Sequence, residues 1–244
     1  WCSDRAYKDR VREKLLSILQ PACKRLFKDF RICGPVFIVK RKGEDTTFPI
    51  HQDWNVVDEE KHRAFNMWIP LHDVSAENGS LWHVEGSHRL PTLVRGAGLL
   101  FPNLYGIRDH ISPVMRSLDL KAGEAMVFYH RLIHGSPPNT HEEPRVVISF
   151  SILPKKVPLH IFFQKDAQSP LQVYHPNDLF IYQFDNVRDD TPFVPPEGEL
   201  VAELPPHQPV VLTPEIFDNY FPDLIPPSPN PGFWARLKTF FSGN

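Results

Sequence analysis

The pattern of apolar and polar positions changes character near residue 30. Over residues 4–29, Val11, Leu15, Leu16, Ile18, Leu19, Leu26 and Phe27 recur at close to helical spacing, with charges filling the gaps. This predicts one or two amphipathic helices, broken near Pro21, which has no backbone N–H to donate. After Gly34-Pro35 the period shortens. Val36-Phe37-Ile38-Val39 reads as a strand, and residues 40–47, polar and containing Gly43, read as a loop. Further strand-like runs fall at 48–57, 65–71, 80–84, 125–133, 145–153, 161–163 and 180–184, with Asn78-Gly79 a strong turn signal. Residues 91–117 show no clear period and read as a long loop or lid, and residues 135–143 as a Pro/Asn loop. Many short strands without a β-α-β rhythm predict a mainly β fold, a double-sheet jelly roll or barrel, behind N-terminal helices.

Composition narrows the picture. The chain has 244 residues, 41% hydrophobic and 23% charged, which suits a globular protein able to bury a full core. We expect a single domain over 1–244: N-terminal helices in 1–35, a jelly-roll core in 36–190, and a C-terminal arm in 191–244. Twelve of the 26 prolines lie between Pro192 and Pro231, so that arm should be extended and turn-rich, neither helical nor a central strand. A short amphipathic helix is expected around 233–241. The net charge of -2 calls for neither nucleic acid nor an anionic membrane as partner. The cysteines, Cys2, Cys23 and Cys33, contain no C-x-x-C, which argues against a disulfide framework or thiolate zinc site and for a cytoplasmic protein. No apolar run approaches ~20 residues, so no membrane span is expected. The chain begins Trp-Cys-Ser, and a preceding segment is left open.

Candidate chemistry starts at His51-Gln52-Asp53. On a strand, residues i and i+2 share a face, so an imidazole and a carboxylate can reach one cation. A second, distant pattern follows: His134-Gly135-Ser136, then Asn139, then Arg145 eleven residues after His134. If the two strands form a hairpin, His134 and Arg145 point into one cavity. Two histidines and a carboxylate on one face are the ligand set of non-haem Fe(II) oxygenases. Arginine grips a carboxylate with two parallel hydrogen bonds. Together they suit a 2-oxo dicarboxylate, chelated at one end and clamped at the other.

The stretch from His51 to Leu153 resembles the phytanoyl-CoA dioxygenase family. The matching pieces are His51-Gln52-Asp53, Trp68-Ile69-Pro70-Leu71, Glu77-Asn78-Gly79-Ser80-Leu81, Gly86-Ser87-His88, and His134-Gly135-Ser136 with Asn139 and Arg145. The resemblance implies a double-stranded β-helix, and Fe(II) with 2-oxoglutarate and O2 as cosubstrates. It implies iron ligation by His51, Asp53 and His134, with Arg145 on the far carboxylate of 2-oxoglutarate, Ser136 assisting and Trp68 lining the pocket. The expected reaction is hydroxylation of an unactivated C–H bond in a small or lipid-like molecule, with 2-oxoglutarate converted to succinate and CO2. The intact Asp53 favours hydroxylation over halogenation, since halogenating relatives carry a small residue there. The small-molecule substrate itself is not named by the sequence, and a homo-oligomer is open.

Blander readings stand beside these. His130-x-x-x-His134 has the spacing of a helical zinc pair, but its setting is strand-like and no Glu follows His130. Trp54 and Tyr129 suit either a pocket wall or the core. Lys40, Arg41, Lys42 and Arg63 read first as a solvated basic loop, with contact to an anionic substrate as the second reading. The alternative functions are a non-catalytic jelly-roll binding module and a cupin-like enzyme using another divalent metal.

Overall fold

A computed structural model describes residues 4–91, 93–96, 102–180 and 194–224. The chain opens with one helix, α1 (Arg5–Leu26), capped by the Asp4 side chain, which accepts from Tyr7 N at 3.0 Å. The helix runs through Pro21 and does not break there. Proline removes one helical hydrogen bond, but Leu15, Leu19 and Cys23 on either side bury against Met67, Phe150 and Ile152 of a sheet. That shared apolar face outweighs the local loss.

The first strand, β1 (Phe30–Lys40), begins earlier than the sequence pattern indicates and extends to Lys40. It pairs in register with β8 (Arg145–Pro154), interrupted by a bulge between Cys33 and Val36. Gly34 sits in that bulge at φ 63, a conformation that suits glycine. The remaining jelly-roll strands are β2 (Phe48–His51), β3 (Phe65–Pro70), β4 (Trp82–His83), β5 (Arg116–Ser117), β6 (Met126–Tyr129) and β7 (His134–Ser136). They form two four-stranded antiparallel sheets, ordered β1-β8-β3-β6 and β2-β7-β4-β5. Successive strands mostly alternate between the sheets, and the first pairs with the eighth, which is the jelly roll expected. α1 covers one face of the first sheet. Trp68, Leu81, Phe128 and Val147 form an apolar cluster with strands of the first sheet at its centre.

The expected 134–145 hairpin does not form. β7 and β8 lie in different sheets, so His134 and Arg145 do not sit on paired strands.

A further three-stranded sheet follows, ordered β11-β10-β9, from β9 (Ile161–Phe163), β10 (Leu171–Pro176) and β11 (Gly198–Leu204). The described part of 91–117 is not a featureless loop. Pro102–Ile107 is a 3-10 turn that runs into a short helix, α2 (Arg108–Ile111). Leu104, Ile107 and Ile111, at helical spacing, are fully buried against Phe217 and Phe221. Phe217 belongs to α3 (Pro214–Tyr220), which the proline content argued against. Pro214 occupies the first helical turn, where its missing N–H costs nothing, and the Thr213 side chain accepts from Ile216 N. β11, by contrast, is an edge strand, as proline-rich surroundings suggest. Of the expected strand at 180–184 only Phe180 is described, and it is not in a strand; the rest of it and the expected helix at 233–241 lie outside the described residues. No described helix is long and apolar enough to cross a membrane.

Candidate metal centre

β2 and β7 are paired, and His51 stands directly opposite His134. Cross-strand partners have side chains on the same face, so the rings meet with centroids 4.2 Å apart. Gly135 allows this close pairing: a Cβ there would lie 3.0 Å from Phe48 O and 3.3 Å from Ile50 Cα. Asp53 lies just past the end of β2 and is brought to the same place by a different device. Its N–H donates to His130 O at 2.8 Å, tying the strand exit to the end of β6.

The three side chains converge. His51 Nε2 is 3.5 Å and His134 Nε2 is 3.8 Å from Asp53 Oδ1, and the ligand atoms all lie within 4.8 Å of one another. The tautomers follow from the hydrogen bonds. His51 Nδ1 is 2.8 Å from Pro49 O, and His134 Nδ1 is 2.9 Å from Leu132 O. A carbonyl only accepts, so each Nδ1 carries the proton and each Nε2 presents a lone pair toward Asp53. Burial and the neighbouring His51 push the His134 pKa down to about 4, so its ring is neutral at pH 7. Burial alone would raise the Asp53 carboxyl, but at acid pH the charge gathered on His134, with His51 and His130 close by, holds it well below the usual carboxylate range. Among the described residues no Lys or Arg pairs with that carboxylate. Two imidazole nitrogens and a carboxylate oxygen, buried together, fit a divalent first-row metal.

Beside this triad lies a cavity of about 850 Å³. Arg145, Ser136 and Trp68 all line it, as expected. Arg145 is 3% exposed, its guanidinium 5.4 Å from the Trp68 ring centre. One nitrogen donates to Gly79 O at 3.0 Å, Nε has no partner, and burial pushes its pKa down to about 10. An unpaired buried donor on a charged group is costly, and an incoming anion would relieve that cost.

Sequence reasoning missed several members of the site. Lys40 is no solvated residue: it is 6% exposed, directly across from Arg145 in the β1–β8 pair. Its Nζ donates to Ser136 Oγ at 2.7 Å and to Pro137 O. Burial and Arg145 lower its pKa to about 7. Among the described residues neither cation has an acidic partner. Arg41 and Lys42 are exposed, the latter paired with Glu142. Asn66 donates from Nδ2 to Asp53 Oδ2 at 3.1 Å, and Ser149 Oγ donates to Asn66 Oδ1 at 2.9 Å. Arg95 donates from Nε to Asp53 O at 2.6 Å and from its terminal nitrogen to Glu59 Oε1 at 2.6 Å, an ion pair with both side chains buried. His130 is buried with neither ring nitrogen bonded, and it is not part of the ligand cluster, so the zinc-pair spacing is not used. Trp54 packs in an apolar cluster, and Tyr129 stacks with Phe65 and His88; neither lines the cavity.

Comparison with known proteins identifies the family. The family model described as phytanoyl-CoA dioxygenase (PhyH) matches residues 2–147. Phytanoyl-CoA dioxygenase domain-containing protein 1 of Danio rerio is 26% identical over 145 residues, covering 54% of this chain and 50% of that protein. Phytanoyl-CoA dioxygenase of Arabidopsis thaliana is 28% identical over 125 residues, covering 48% and 42%. The chain thus spans about half the length of these curated relatives or less. A structure of the epimerase SnoN in complex with Fe3+, alpha ketoglutarate and nogalamycin RO is 20% identical, covering 71% of this chain and 62% of that one, with a TM-score of 0.45.

Proposed function

This chain belongs to the phytanoyl-CoA dioxygenase family, and from that premise we propose that it is an Fe(II)- and 2-oxoglutarate-dependent oxygenase that hydroxylates a small molecule. The observation that carries the reading is the convergence of His51, Asp53 and His134 beside a cavity holding two buried cations that have no acidic partner among the described residues.

In this reading His51 Nε2, His134 Nε2 and Asp53 Oδ1 hold the iron. Three ligands on one face leave three positions open on an octahedral ion. When bound, Fe(II) with 2-oxoglutarate and O2 supplies the oxidation of an unactivated C–H bond, and 2-oxoglutarate leaves as succinate and CO2. The chain's own groups bind and orient. Arg145 receives the far carboxylate through its uncommitted donors. Ser136 and Lys40 stand beside it; the Lys40 protons are largely engaged, so it acts mainly as a charge. Trp68 braces the guanidinium. The buried setting of these groups keeps bulk water away from the co-substrate, which strengthens each electrostatic contact. Two cations facing one dianion favour a 2-oxo dicarboxylate over a neutral ligand, and this separates the proposal from a metal-dependent isomerase or hydrolase. The open cavity at Arg145 argues against a binding module whose pocket has filled in.

The direct test is succinate formation from 2-oxoglutarate under O2 with added Fe(II), comparing the wild type with His134→Ala. Turnover by the wild type and none by the variant is expected. Equal turnover in both, or anaerobic Fe(II) titrations without binding, would overturn the assignment.

A further inference from the structure

We infer that Asn66, held by Ser149, is a positioning residue that keeps Asp53 a one-oxygen ligand and so sets how many metal positions stay open to the co-substrate. The inference rests on the metal-centre reading above.

The two oxygens of Asp53 have different surroundings. Oδ1 faces both histidine Nε2 atoms, at 3.5 and 3.8 Å. Oδ2 is turned the other way and accepts from Asn66 Nδ2 at 3.1 Å. An ionised carboxylate only accepts, which fixes the Asn66 amide with its NH2 toward Asp53. The amide oxygen is then left on the far side, where Ser149 Oγ donates to it at 2.9 Å. The chain of donors runs one way, Ser149 to Asn66 to Asp53, and every polar atom in it finds a matching partner. The strands enforce the arrangement. On β3, Asn66 and Trp68 share a face by the period of two, and Trp68 stands opposite Ser149 of β8. Asn66 and Ser149 are therefore diagonal neighbours, and both line the cavity.

The chemical consequence follows from counting positions. A carboxylate without such a partner is free to swing and offer both oxygens to a cation. With one oxygen from Asp53, three octahedral positions remain: two for a chelating 2-oxo acid and one more. With both oxygens bound, only two remain, so the co-substrate chelates only by displacing the second oxygen, which weakens its binding, or by filling the last open position.

Co(II) is the probe, because its visible absorption reports coordination number and it is inert to turnover. The apoprotein is titrated anaerobically with Co(II), its spectrum recorded, and 2-oxoglutarate then added. We expect Asn66→Ala to alter the Co(II) band before 2-oxoglutarate is present, and to weaken 2-oxoglutarate binding about 10- to 100-fold. Ser149→Thr, which keeps the hydroxyl, should match the wild type; Ser149→Ala should shift the band in the same sense as Asn66→Ala, by less. A folded Asn66→Ala apoprotein with the wild-type band and wild-type 2-oxoglutarate affinity overturns the inference. If Asn66→Ala does not fold, the two Ser149 variants decide on the same band: no difference between them overturns it. A wild type that takes up no Co(II) overturns the metal-centre reading itself, before any variant is compared.

Discussion

Replacing Arg145 with Gln removes the charge that the cavity is built around. In the structure the guanidinium already gives one nitrogen to Gly79 O at 3.0 Å, stacks near Trp68 and has a buried Nε without partner. The remaining donors are what a carboxylate would gain. Removing one partner of a buried, hydrogen-bonded charge pair costs upward of about 2 kcal/mol, and with Lys40 still in place we expect about 2–4 kcal/mol here. That corresponds to 2-oxoglutarate affinity falling roughly 30- to 700-fold. The assay is calorimetric titration of 2-oxoglutarate into Mn(II)-loaded protein without O2. A control isolates the contact: 2-oxopentanoate has the same chelating end but no far carboxylate. The wild type should prefer 2-oxoglutarate strongly, while Arg145→Gln should nearly lose that preference, as a double-mutant cycle requires. If Arg145→Gln retains affinity within twofold, or keeps the wild-type preference, the far carboxylate does not sit at Arg145 and the reasoning fails.

Lys40 gives the pH dependence. Its pKa is lowered to about 7, so as pH rises through 7 the free site loses a positive charge and 2-oxoglutarate affinity should fall; Lys40→Met should flatten that limb. The sign for stability is opposite: between about 7 and the ordinary lysine value the unfolded chain binds more protons, so the melting temperature of the apoprotein should rise with pH across that window. Breaking the buried Arg95–Glu59 pair with Arg95→Met should cost about 3–5 kcal/mol, read as a melting temperature lower by about 6–20 °C. Gly135→Ala forces a Cβ against Phe48 O and Ile50 Cα, which should cost about 1–3 kcal/mol in thermal or denaturant unfolding. It should also weaken Co(II) binding by parting His51 from His134.

The candidate ligand cluster was legible in the sequence because its members sit in short local patterns. His51 and Asp53 are two apart, and His134 and Arg145 flank a glycine-led loop. The hairpin joining the last two was not there, yet both line one cavity, because in a jelly roll both sheets face one interior. Lys40 was misread for a physical reason: it opens a Lys-Arg-Lys run, and only the pairing of β1 with β8 turns one of the three lysine and arginine side chains inward. Asn66 carried a usable signal that was passed over, since a polar residue two before Trp68 shares its face. Arg95 and Glu59 offered none: they lie 36 residues apart in irregular segments, and only the folded chain brings them together. Pro21 and Pro214 show the limit of reading proline locally. The burial of Leu15 and Leu19 and the capping by Thr213 decided those helices.

Lys40 and Arg145 face each other across the one pair of strands that joins the start of the jelly roll to its end. The proposed dicarboxylate grip is therefore absent from any shorter nascent chain, and it forms only when the ribosome has released residue 145 and beyond. Until then the two cations are apart and hydrated; once zipped, they repel. A dianion bridging them would act as a clasp on this seam. Hydrogen exchange along residues 36–40 and 145–149 should accordingly slow when 2-oxoglutarate is supplied, as a ligand that binds only the zipped seam requires.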